Sequence, residues 1–231
     1  MRTRPGKHRH LRVDEHRALG VASGILVALA VLASCAPISQ PRQDLTLVVE
    51  PARRLELHGL SVLPPSGENW FIAPKVSGVP GVPTVNLAAF AKKPPAEAPD
   101  RVVYARVNAW DLGPWRLDSQ DAFLRFVRED LERGTPRQRV LALEVSPANS
   151  PAPTCARYRR TAELRGAPGF PDASFVLATV GVWCLHPHWP KYGIDLVYGQ
   201  RYRQGLQPLP VEAEVEPFLG GVVFTRERPM D

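Results

Sequence analysis

Cys184-Leu185-His186-Pro187-His188 is the densest run of chemically versatile side chains in this 231-residue sequence. In an extended chain, residues two apart share a face. The thiol and both imidazoles can therefore converge on one soft metal, and zinc or copper would suit those donors. The same thiol has a competing use. After residue 35 only Cys155 and Cys184 remain, and an even pair of cysteines in an oxidising compartment forms a disulfide. That bridge would close a loop of about 30 residues, contribute on the order of 3 to 4 kcal/mol through chain entropy, and remove the thiolate a metal needs. The expectation is a Cys155–Cys184 disulfide, with the Cys184, His186 and His188 triplet as the alternative and no resident metal or cofactor otherwise.

Other candidate chemistry is sparse. His58, in Glu56-Leu57-His58-Gly59, is the one further histidine beyond the leader, and a lone histidine near a strand end more often makes a structural hydrogen bond than a catalytic one. Acid–base catalysis would need a nucleophile or paired carboxylates beside it. Glu68, Asp111 and Asp118 are available, but the sequence has no Gly-x-Ser-x-Gly elbow, His-Glu-x-x-His helix, phosphate-cradling loop or dinucleotide fingerprint. The expectation is a protein that binds rather than an enzyme. Trp70 and Trp189 lie in stretches rich in proline and polar residues, so both are candidate partner or ligand contacts, the alternative being that they cap the core.

The leader has its own logic. A basic stretch holds Arg2, Arg4, Lys7, Arg9, Arg12 and Arg17, an uncharged apolar run spans 18–33, and small residues lead into Cys35. This is the order of a secretory signal, and the apolar run is shorter than the roughly 20 residues of a permanent span. Leu32-Ala33-Ser34-Cys35 resembles the lipobox of bacterial lipoproteins. The resemblance implies cleavage before Cys35, lipid on its sulfur, and a mature protein held in the cell envelope facing the periplasm. Ala36 stands where an aspartate would resemble an inner-membrane retention signal, so the expected destination is the outer membrane. Most of the chain's +6 net charge belongs to this leader; the remainder is close to neutral, which argues against nucleic acid as a partner.

The elements that must position these residues follow from periodicity and breakers. Residues 36–44 are polar and aperiodic and read as a tether. Short strands are expected at 45–49 and 55–63, then a proline-dense excursion over 64–99, then a strand over 102–110. Phe123, Phe126, Val127 and Leu131 keep helical spacing from a cap at Asp118 or Ser119, and Gly134 ends the run, so an amphipathic helix is expected near 119–133. Strands at 140–145, 156–164, 174–184 and 194–202 would form an antiparallel meander, and a short helix near 211–224 would close the chain. The fold class is α+β: an antiparallel sheet carrying both helices. Domain organisation is a signal peptide at 1–34, a lipidated N-terminus and tether at 35–44, and one domain at 45–231.

The element order over about 101 to 224 is similar to that of the PsbP-like α+β domains, where an amphipathic helix precedes a strand meander and a C-terminal helix packs on the sheet. The resemblance implies an accessory or assembly role and transfers no catalytic residue. The combined expectation is a lipid-anchored envelope protein that binds another envelope component, with small-molecule or metal binding as the alternative.

Overall fold

A computed structural model describes residues 46–49, 52–73, 84–94, 100–113, 115, 117–167 and 170–229. Residues 1–34, expected as a signal peptide, Cys35 and the expected tether at 36–44 lie outside the described residues. Residues 43–231 group as one unit.

Strands β1 (Thr46–Leu47), β2 (Leu55–Leu57), β3 (Leu60–Val62), β4 (Trp70–Ala73), β5 (Thr84–Lys92) and β6 (Val102–Asp111) precede helix α1 (Gln120–Arg133). Strands β7 (Gln138–Ala148), β8 (Cys155–Ala167), β9 (Phe170–His186) and β10 (Trp189–Arg203) follow, then α2 (Glu212–Gly220) and β11 (Val222–Phe224). The fold is predominantly antiparallel β with two helices rather than a balanced α+β mixture. Eight strands form one sheet in the order β1-β4-β5-β6-β10-β9-β8-β7, and β11-β3-β2 form a second. Two meanders thus meet where β6 pairs β10, and the chain crosses from the centre of the sheet to its far edge through α1.

The helix at 120–133 forms as expected, and its ends are defined chemically. The Ser119 hydroxyl accepts from the Ala122 amide at 3.1 Å, and Gly134 takes φ 55°, the conformation open to glycine at a helix end. Its apolar face buries Phe123 and Val127 against Ala156 and Trp183 on one face of the sheet. The opposite face carries the larger core, in which Phe218, Val215 and Leu219 of α2 join Trp70, Phe90, Ile194, Leu196 and Tyr198.

Three expectations need correction. The run 55–63 is not one strand but a hairpin: His58 and Gly59 form its turn, Gly59 at φ 82°, where a Cβ would also come within 2.8 Å of Pro229. The excursion 64–99 contains β4 and the nine-residue β5, because neither Trp70–Ala73 nor Thr84–Lys92 includes a proline and each keeps its ladder donors. The terminal helix stops at Gly220 and gives way to β11, because Pro217 sits inside it and two glycines follow.

Candidate functional site

The disulfide is present: Cys155 opens β8, lies directly across from Cys184 in β9, and is bonded to it. The metal alternative is thereby corrected. The Cys184 sulfur is taken by the bridge. The His186 ring is buried with Nε2 at 2.8 Å from the Gly59 carbonyl, and burial holds its pKa below the usual imidazole value. Among the described residues no group of three or more His, Cys, Asp or Glu side chains is placed to hold a metal. His186 instead ties the β2–β3 turn to the main sheet, and His188 is exposed on the β9–β10 turn. His58 is exposed on its own turn.

Trp70 is also corrected. Its side chain is fully buried, so it presents no contact surface. The indole Nε1 donates to Glu214 Oε2 at 3.0 Å and to the Ser66 carbonyl at 3.1 Å, while the ring meets Tyr198 edge-on at 5.7 Å. Glu214 is a hub: the Tyr198 hydroxyl donates to the same Oε2 at 2.9 Å, and Lys92 pairs with Oε1. Burial first, and the Glu214 carboxylate second, raise the Tyr198 hydroxyl far above an ordinary phenol, so it stays a donor. This network fastens α2 across β4, β5 and β10. It explains why so short a helix, interrupted by Pro217 and lacking a side-chain N-cap, keeps its place. Trp189 is different: it is 36% exposed at the start of β10, with Nε1 donating to the Arg226 carbonyl at 3.0 Å.

Because α2 lies over β9 and β10, the same face of β7 and β8 stays open beside it. The result is a cleft of about 350 Å³. Its floor is short or narrow side chains, Ala142, Thr161, Ala178 and Val180, and its helical wall is Val211, Glu212, Val215 and Glu216. Arg159 and Glu144, opposite each other on β8 and β7, and Gln200 and Tyr202 on β10 supply polar groups. Arg157 crosses from β8 to pair with Glu216, one bond measuring 3.0 Å, and so bridges sheet and helix at the cleft's end. An apolar floor with a few convergent polar groups is the usual make-up of a binding cleft.

The other face holds a buried polar cluster. Tyr158 on β8 lies across Gly181 of β9, where a Cβ would come within 2.3 Å of its ring. Only glycine leaves room for the hydroxyl to reach Asp195 on β10 and donate to Oδ1 at 3.0 Å. Asn108 on β6 approaches Oδ2 at 3.4 Å. Burial is the main reason that the Asp195 carboxyl is raised to about 7, against the lowering effect of those two bonds. Burial likewise raises the Tyr158 phenol. Arg160, two residues further along β8, donates from Nε to the Leu131 carbonyl in the last turn of α1 and from Nη2 to Gln138, so the helix end is satisfied by the sheet it covers. Asp195 went unnoticed in the sequence, although one signal existed: a lone carboxylate inside the otherwise apolar run Ile194-Asp195-Leu196-Val197.

No local sequence pattern marks the cleft, since its lining comes from five separate elements. Among the described residues no helix is long and apolar enough to cross a membrane. No protein-family model matches this chain, and no curated protein matches it.

Proposed function

We propose that this chain is a lipid-anchored protein of the cell envelope, tethered through Cys35 and facing the periplasm, whose domain works by binding another envelope component in the cleft beside α2. The observation that carries the binding part is the cleft itself: an open trough floored by four strands and walled by a helix that the Glu214 network holds rigidly. A preformed site of this kind lowers the ordering cost of association. The Cys155–Cys184 disulfide supports an exported, oxidising location, as such bridges are rare where thiols are kept reduced. The lipobox-like leader supports the anchor and the outer-membrane destination. The resemblance of the element order expected over about 101 to 224 to that of PsbP-like domains supports an accessory role.

A second reading, small-molecule binding, is favoured by the cleft's size, which falls in the range of about 300 to 1,000 Å³ typical of ligand sites. One experiment separates the two. A photo-crosslinking residue at Thr161, in the cleft floor, is compared with one at Glu132, on the helix over the other face, in cells making the full chain. Protein binding predicts a discrete crosslinked partner from position 161 alone, lost when the exposed floor residue Ala142 is changed to Trp. Small-molecule binding predicts no protein crosslink but a retained mass in native mass spectrometry that Ala142→Trp removes. Neither result would mean the cleft is not the binding site.

A further inference from the structure

At one end of the main sheet two loops each present an exposed tryptophan. Trp115, 44% exposed, follows β6, and Trp189, 36% exposed, opens β10 just after the β9–β10 turn. The loops are joined, since the Leu112 amide donates to the Lys191 carbonyl at 2.7 Å and the Trp115 amide donates to the Leu112 carbonyl at 2.9 Å. Trp115 is braced from behind by Phe126 of α1 at 5.2 Å, and Trp189 by its bond to the Arg226 carbonyl. The bond at Trp189 satisfies the only polar atom of its side chain within the protein, so its exposed ring edge can enter an apolar medium without stranding the indole donor. Lys191 Nζ and the Arg228 guanidinium lie over the Tyr192 ring at 5.2 and 5.6 Å, Arg228 Nε also donating to its hydroxyl at 2.8 Å, and Arg226 is exposed; Glu227 and Asp111 are the nearby acids in sequence, and the Asp111 carboxylate already accepts from the Gly113 amide.

The register of β1 bears on what this end meets. Thr46 pairs Ile72 and Leu47 pairs Phe71, and through β4 and β5 these align with Phe90 and Ala91. Thr84, at the start of β5, lies opposite Trp110 at the far end of β6. The N-terminal end of β1 is therefore directed toward the tryptophan-bearing end of the sheet. Cys35 precedes Thr46 by eleven residues, a span of at most about 40 Å when fully extended. A lipid on Cys35 would hold the domain within that distance of the bilayer.

We propose that the end of the sheet bearing Trp115 and Trp189 is a second membrane contact, a rim in which two tryptophans enter the headgroup region of a phospholipid bilayer while Lys191 and Arg226 face its phosphates. The choice of a bilayer as occupant rests on the Cys35 anchor reading. Indole rings flanked by cations suit that interface, being apolar in body and wet at the edge. The second contact turns attachment at one point into an oriented attachment, and a lipid on Cys35 supplies the high local concentration that two weakly inserting rings need.

The test is tryptophan fluorescence of the full chain on phosphatidylcholine–phosphatidylglycerol vesicles carrying brominated acyl chains. The other three tryptophans, Trp70 and Trp183 buried and Trp110 half-buried against Trp183, act as the background. The expected result is that bromolipid quenches part of the emission and that Trp115→Phe with Trp189→Phe removes more than about half of the quenched fraction, at an unchanged melting temperature. Trp189→Phe alone should give a partial loss, which keeps the test decisive if the double variant folds poorly. Quenching unaltered by these changes, or none while the chain is vesicle-bound, overturns the proposal. So does a rim that crosslinks a protein and is shielded from bromolipid. The anchor reading fails on a different measurement, fatty-acid labelling at Cys35 in cells, whereas the rim reading fails on the quenching of chain that is already vesicle-bound.

Discussion

Changing Asp195 to Asn should stabilise the protein at neutral and alkaline pH and flatten its pH dependence. Asp195 is raised from an ordinary value of 3.8 to about 7 in the folded chain, with burial the main cause. Between those values the folded state binds a proton that the unfolded state has released, so stability falls as pH rises through the window and the full penalty is present above pH 7. Three units at about 1.4 kcal/mol each give a penalty of about 4 kcal/mol at pH 8 and about 1.5 kcal/mol at pH 5. Asparagine has nearly the same shape, carries no charge to desolvate, and keeps an acceptor for the Tyr158 hydroxyl at Oδ1. Its amide would face the Asn108 amide, at a cost of about 1 kcal/mol for the weak 3.4 Å contact. Urea denaturation of both proteins at pH 5 and pH 8 measures the outcome. Asp195→Asn should gain about 2.5 kcal/mol more, relative to the parent, at pH 8 than at pH 5. Comparing the two proteins cancels groups with the opposite trend, such as Glu163, whose carboxyl is held low by its bonds to Arg165 and Arg139. Equal differences at the two pH values would refute the argument and mean that Asp195 is charged and well solvated in the folded state.

Replacing Cys155 and Cys184 together by serine should lower stability by about 3 to 4 kcal/mol in nonreducing denaturation, from the loop of sequence separation 29 that the bridge closes; no change would mean the pair is reduced in the parent. Trp70→Ala should lower the melting temperature by more than about 6 °C, as about 3 to 5 kcal/mol is lost with a buried tryptophan, whereas Trp189→Ala should barely move it; calorimetry distinguishes them. Cys35→Ala should abolish labelling by a metabolic fatty-acid analogue and leave an unprocessed precursor, and labelling equal to the parent protein would exclude the lipid anchor.

Much of the fold is written in local pattern. The α1 helix is legible because its apolar residues repeat every three or four positions between a serine cap and a glycine stop, signals that act within one element. The four strands β7 to β10 are legible for the same reason, and with them the antiparallel meander, since each turn connects neighbours. The disulfide follows from counting cysteines, and the leader's order of charge, apolar run and cysteine is linear by nature. Pattern failed where the deciding partner was distant. Proline density over 64–99 hides β4 and β5, because density is a property of the whole stretch whereas pairing depends on the proline-free runs within it. Trp70 looked like a contact because its neighbours in sequence are polar; its neighbours in space are Tyr198 and Glu214, more than a hundred residues away. The cleft and the Asp195 cluster belong wholly to the tertiary structure. Each collects side chains from several strands, and β-register, which sets the residues that face one another across β6, β10, β9 and β8, is fixed by the pairing of whole strands and not by the sequence of any one of them.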